Sequence, residues 1–237
     1  MNEDKKKYLT IDEIKEKCIK LSGNNNEEAT LCMIREEFRQ GIDMIRTFTP
    51  SVTFYGGARF SEDHPSYKQA QSLAYRISKE LGYTVISGGG AGIMEAVSRG
   101  AHDAGGKVVG LTIKLPTEQA TNKYVTDDIP FYFFFARKVS MSYSTEVCIF
   151  CPGGFGTLDE LFDMLTLQQT NKIGKIPIIL LGAEYWAPVE KIIKEVLIDK
   201  YKTVSPDDLN LYTITDDEDK ILEIIKKSRL RTGEDGL

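Results

Sequence analysis

Histidine is nearly absent from this 237-residue chain, which holds only His64 and His102. Chemistry that rests on a histidine base, or on several histidine ligands, has little to draw on. Cysteine is scarce as well. Four thiols, Cys18, Cys32, Cys148 and Cys151, make no disulfide framework in a chain this long, and Cys148-x-x-Cys151 has no second pair to complete a zinc site. A separation of three along a strand puts those two thiols on opposite faces, so buried small hydrophobes are the expected reading. Basic excess is missing too: 30 Lys plus Arg stand against 35 Asp plus Glu, a net charge of -5, which does not suggest a nucleic-acid partner. The longest uncharged stretch, residues 81–94, has 14 residues and five glycines. A membrane helix needs about 20 mostly apolar residues, so no membrane partner is expected. The first ten residues lack the apolar core of a secretory signal, and a cytoplasmic location is the default expectation.

What is present is an ordinary globular composition, 41% hydrophobic and 27% charged, with an uneven use of glycine. Of 20 glycines, 16 lie between Gly56 and Gly182, many directly after apolar β-branched runs. Glycine there permits tight turns and close backbone approach to a ligand. Residues 1–48 read as a helical extension with helices over 11–21 and 27–48. Residues 49–231 alternate strands (52–55, 84–87, 107–113, 147–151, 177–181, 211–214) with helices (66–81, 92–104, 136–144, 158–170, 185–200, 218–227), and 232–237 form a tail. That alternation predicts an α/β fold, a Rossmann-like doubly wound parallel sheet with flanking helices, whose ligand sits at the carboxyl ends of the strands.

Three strand ends carry unusual residues. Tyr55-Gly56-Gly57-Ala58-Arg59 reads either as an anion site of backbone N–H groups plus a guanidinium or as a surface arginine beside a turn. Gly88-Gly89-Gly90-Ala91-Gly92-Ile93-Met94 is a glycine run opening a helix, where a phosphate or sugar hydroxyl can approach. It fits neither the dinucleotide fingerprint nor the phosphate-loop pattern, which leaves a mononucleotide. In Cys151-Pro152-Gly153-Gly154-Phe155-Gly156-Thr157-Leu158-Asp159-Glu160, Thr157 begins a helix beside backbone lying open to a ligand. Thr157-x-x-Glu160 is equally a capping box on spacing alone; three glycines favour ligand binding. Arg137-Lys138 open a helix after the aromatic run 131–135, where cations oppose the helix dipole and an anion nearby would compensate. The aromatic run itself is read as core or subunit interface.

With these motifs together, the chain resembles the LONELY GUY (LOG) family, which carries Pro-Gly-Gly-x-Gly-Thr-x-x-Glu and an upstream Arg-Lys at this spacing; the likeness covers about residues 50–186. The resemblance implies a phosphoribohydrolase that splits a nucleoside 5'-monophosphate into free base and ribose 5-phosphate, AMP or N6-substituted cytokinin nucleotides being the substrate class. It implies Arg137 and Glu160 as the catalytic pair. Gly88, Gly89, Gly90, Gly92, Met94, Glu118, Lys138, Gly153, Gly154, Phe155, Gly156, Thr157 and Thr166 are its implied substrate contacts. It further implies a homodimer or higher homo-oligomer, with no metal or other cofactor required. A lysine decarboxylase label attached to such proteins is rejected, because no motif suggests a pyridoxal phosphate site. The alternative kept open is a nonenzymatic nucleotide or molybdenum-cofactor carrier using the same loops. Two departures stand out: Ser140 where the family often has Glu, and Glu146 where Asp is usual. The N-terminal helices and the segment after about Tyr201 lie outside the short form of the family and are assigned to subunit packing.

Overall fold

Parallel strands need crossovers, and the alternating runs supply them. In the computed structural model, which describes residues 8–116, 120–143 and 145–230, seven strands form one sheet. They are β1 (Ser51–Tyr55), β2 (Thr84–Ser87), β3 (Val108–Ile113), β4 (Asp127–Phe131), β5 (Val147–Phe150), β6 (Ile178–Leu180) and β7 (Thr213–Ile214). The order is β4-β3-β2-β1-β5-β6-β7, and every pairing is parallel. The chain reverses its direction of winding between β1 and β5, which is where such sheets open a crevice.

The helices are α1 (Ile11–Leu21), α2 (Asn26–Thr47), α3 (Pro65–Arg76), α4 (Ile93–Asp103), α5 (Phe134–Tyr143), α6 (Phe155–Gln169), α7 (Ala183–Ile192) and α8 (Glu218–Lys227). α3 and α7 run on as π-type turns over Ile77–Leu81 and Ile193–Lys200. β1, β2 and β5 are buried throughout, because helices cover both faces. Alternate residues divide between two cores: Val52, Phe54, Ile149 and Cys151 on one side, Tyr55, Ile86, Cys148 and Phe150 on the other. The two thiols thus lie on opposite faces, as their spacing requires. Among the described residues, no helix is long and apolar enough to cross a membrane.

Two expectations are corrected. β4 was not anticipated, since Asp127-Asp128-Ile129-Pro130-Phe131 is poor in strand formers. It occupies the sheet edge, where a proline is tolerated. Cysteine is corrected too, because Cys18 and Cys32 form a disulfide. The turn after α1, with Gly23 and Asn24 at positive φ, folds α1 back on α2 and brings the two Cα atoms to 5.5 Å.

α2 packs on α5 within the same chain. A Cβ at Gly41 would overlap Ser140 Oγ and stand 2.8 Å from Phe131 Cζ, so the Ser140 and Phe131 side chains pack directly on the α2 backbone. Ser140 is fully buried and donates to the Ala136 carbonyl at 2.8 Å. This accounts for its departure from the family's glutamate, which has no room while α2 covers the face. Ser140→Glu is expected to destabilise the fold by about 1–3 kcal/mol through overpacking alone, read as a lower urea midpoint. Glu146 accepts from the Ser51 amide at the amino ends of β5 and β1, the end of the sheet away from the crevice.

Candidate active site

The crevice holds a cleft of about 300 Å³ at the carboxyl ends of β1, β2 and β5. Its walls are backbone packed on backbone. Gly57 N donates to the Pro152 carbonyl and Ile93 N to the Gly57 carbonyl, both at 3.0 Å, so the loops after β1, β2 and β5 are tied together. Gly92, at φ +67°, has no space for a Cβ, which would overlap the Gly57 carbonyl. A Cβ at Gly153 would strike the Thr157 side chain and stand 3.0 Å from Gly57 N. Gly154 and Gly156 differ: nothing lies within 4 Å of a Cβ built on either, because they face the open cleft.

α6 starts at Phe155 with Gly154 as its cap and no side-chain cap bond. The capping-box reading is therefore overturned. Thr157 is the third residue of the helix and Glu160 the sixth, one turn on, so neither can cap. The first N–H groups of α6 are left without intrahelical partners and, with the helix dipole, favour an anion.

Glu160 lines the cleft and is only 8% exposed. Burial pushes its pKa up to about 7, against the pull of Lys138 and Arg137 and with the support of Asp159 and Asp163. Arg137 stands opposite on α5. Burial lowers its pKa, while Glu160 and Tyr55 act to raise it; a guanidinium so shifted is still cationic near neutrality. Its Nε is buried without a hydrogen-bond partner, and the guanidinium lies 5.7 Å from the centroid of the Phe134 ring. The cation is thus held by packing and by charge, with donors still to offer.

The structure brings Gly88, Met94, Arg137, Gly154, Gly156, Thr157 and Glu160 together on the cleft. Gly89, Gly90 and Gly92 do not line it, and Gly153 lines an adjoining lobe. Asn122 Nδ2 donates to the carbonyls of Gly89 and Gly90 at 3.0 Å each, and Tyr185 Oη to that of Gly153 at 2.7 Å. Phe155 is 93% exposed and lines a second lobe of about 710 Å³ with Arg59 and Phe60, which joins the cleft at Gly57, Ala58 and Gly154. Lys138 does not line the cleft; its Nζ is 2.7 Å from Asp159 Oδ2. Burial opposes that ammonium, but the bond to Asp159 and the charges of Glu160, Asp163 and Asp159 outweigh it and raise its pKa. Thr166 is not brought in either. It donates to the Phe162 carbonyl and lines a separate groove with Gln169 and Leu197. Glu118 lies outside the described residues.

Sequence reasoning missed Tyr55, Phe134, Asn122 and Tyr185. Tyr55, the last residue of β1, stacks on Phe150 at 4.5 Å, and burial keeps its pKa well above the ordinary tyrosine value, so it remains protonated beside Glu160. Its place immediately before Gly56 was the signal. Phe134, inside the aromatic run read as core or interface, is 59% exposed and stands on the cleft wall. Asn122 and Tyr185 carry no motif.

A family model described as "Possible lysine decarboxylase" matches residues 94–225. The chain is similar to the cytokinin riboside 5'-monophosphate phosphoribohydrolase LOG of Oryza sativa subsp. japonica, 34% identical over 119 residues, 48% of this chain and 49% of that protein. It is similar to the cytokinin riboside 5'-monophosphate phosphoribohydrolase of Rhodococcoides fascians, 26% identical over 155 residues, 65% of this chain and 78% of that protein. The chain spans about half the length of the plant relatives it matches. Among solved structures, the molybdenum cofactor binding protein of Rippkaea orientalis shares the fold at a TM-score of 0.54 and 22% identity, over 75% of this chain and 95% of that one. The molybdenum cofactor carrier protein of Chlamydomonas reinhardtii does so at 0.53 and 21%, over 75% and 96%.

Proposed function

The chain belongs to the LOG family, and from that premise we propose that it hydrolyses the N-glycosidic bond of nucleoside 5'-monophosphates, AMP or its N6-substituted cytokinin forms. The observation that carries the reading is the buried Glu160 of α6 and the half-buried Arg137 of α5 on one glycine-walled cleft, beside the uncapped N-terminus of α6. The 5'-phosphate takes the free N–H groups of α6, with Gly154 and Gly156 leaving them open. The ribose then lies over Thr157 and Glu160, and the base lies toward Met94, Ile113, Leu115 and Phe134 at the apolar end.

Breaking the C1'–N bond leaves positive charge on the sugar and sends the electron pair to the base. Ionised Glu160 stabilises that charge and takes a proton from the attacking water, whose oxygen bonds to C1'. Arg137 donates to the departing base and offsets its negative charge. Anchoring the phosphate holds C1' near the carboxylate, which removes much of the entropic barrier.

Lysine decarboxylation does not fit these residues. Pyridoxal phosphate requires a free lysine amine for its imine, but among the described residues no lysine lines the cleft, and Lys138 is held by Asp159. The exposed rings of Tyr132, Phe134 and Phe135 support a homodimer with its interface beside the cleft. Incubation with AMP and with isopentenyladenosine monophosphate, followed by chromatography, is expected to release free base and ribose 5-phosphate. Binding of nucleotide with no release from any purine or pyrimidine monophosphate would instead be the behaviour of a carrier.

A further inference from the structure

The first turn of α5 ends on Arg137, Lys138 follows it, and the turn holds no acidic residue. Cations at that end oppose the helix dipole, and the carboxylates that act on them, Glu160, Asp159 and Asp163, all lie on α6. The backbone that leads into α5 is held instead from the N-terminal extension. Glu37 of α2 is 1% exposed, and its two carboxylate oxygens accept from Tyr132 N at 2.9 Å and Phe133 N at 3.1 Å. Those are the two residues just before α5. The Phe133 carbonyl in turn accepts from Arg137 N at 3.2 Å. Glu37 is therefore two hydrogen bonds from the Arg137 backbone, although 100 residues separate them in the chain.

Packing supports the same connection. The Phe133 ring lies against the small core of Ile14, Cys18 and Met33 between α1 and α2. One turn beyond Glu37, Gly41 lets α2 close on Ser140. We infer that the N-terminal helix pair is a brace for the helix that bears Arg137, and that Glu37 is its positioning residue. Glu37 does not line the cleft and has no part in bond breaking. It lies outside residues 94–225, the segment matched by the family model. The inference rests on the hydrolase reading for its activity readout only.

The test compares wild type with Glu37→Ala, Glu37→Gln and a matched control on the same helix, Glu36→Ala. The control removes ion pairs to Lys17 and Arg39 but no bond to the segment before α5. Turnover of AMP and hydrogen exchange at the Tyr132 and Phe133 amides are measured for each. Glu37→Ala is expected to lower kcat about tenfold or more with KM within about threefold, since a misplaced catalytic group costs rate before binding. Both amides should lose protection. Glu37→Gln keeps one acceptor oxygen and should fall between, whereas Glu36→Ala should keep wild-type kcat and protection. Wild-type kcat in Glu37→Ala with both amides still protected overturns the inference. So does a parallel loss in Glu36→Ala, which would make the effect one of general stability. Should Glu37→Ala not fold, the Gln variant decides by the same readouts. A wild type without turnover counts against the hydrolase reading alone, and amide exchange then decides the brace.

Discussion

Glu160→Gln is expected to lower base release by about 10²- to 10⁴-fold, the usual worth of a positioned proton-transfer group, while nucleotide binding is retained. The amide keeps the shape of the side chain but can neither take a proton from water nor neutralise a cationic sugar. Binding should survive because the phosphate contacts proposed above are backbone N–H groups at the uncapped start of α6, which the substitution leaves in place. Turnover by Glu160→Gln within a few-fold of wild type would reduce the carboxylate to a packing element.

The same residue makes activity and stability respond oppositely to pH. With its pKa raised to about 7, Glu160 is protonated in weakly acidic solution, and a base must be ionised to work. The kcat/KM of the wild type should therefore rise with pH through about 7, and that limb should vanish from the residual activity of Glu160→Gln. For stability, the folded-state pKa lies above the unfolded value near 4.5. Folding thus favours the protonated carboxyl, a contribution fully present below pH 4.5 and lost as pH rises through 7. At pH 8 wild type carries the cost of an ionised buried carboxylate, at most about 3 kcal/mol, which the neutral Gln variant avoids. Urea denaturation at pH 8 should find the inactive variant more stable than the active enzyme, and the difference should shrink toward pH 4.

The glycines at the strand ends were legible because close approach of backbones admits no other residue, as at Gly92 and Gly153. The sheet followed from buried β-branched runs, and the family resemblance pointed to Arg137 and Glu160, both of which line the cleft. What escaped had no local signature. β4 depends on its place at a sheet edge, and Asn122 holds the Gly89 and Gly90 carbonyls from a loop more than 30 residues away. Helix geometry explains the two expected contacts that stand apart. Lys138 follows Arg137 by one residue, about 100° around α5, and from there its ammonium reaches Asp159 rather than the cleft. Thr166 is six residues past Glu160, about 240° around α6, whereas Thr157 and Glu160 share a face. Glu37 was invisible for another reason: a glutamate in a polar helix gives no sign that it will accept amides 95 and 96 residues downstream.

Arg137→Ala should cost about 10²- to 10³-fold in kcat, the scale seen when a preorganised donor to developing charge is removed. Its signature lies in the pH profile as much as in the rate. The Arg137 charge is among the influences that hold the Glu160 pKa down against burial. Without it the carboxyl should ionise later, and the acid limb of the residual activity should move above 7. Arg137→Lys separates charge from geometry. A lysine retains the cation, so the limb should return toward its wild-type position, but an ammonium lacks the planar fork of the guanidinium, so most of the rate loss should persist. An alanine variant whose limb stays at about 7 would mean that the two side chains are not electrically linked in solution. Full rate in the lysine variant would assign Arg137 a point-charge role and remove the need for a directed donor to the leaving base.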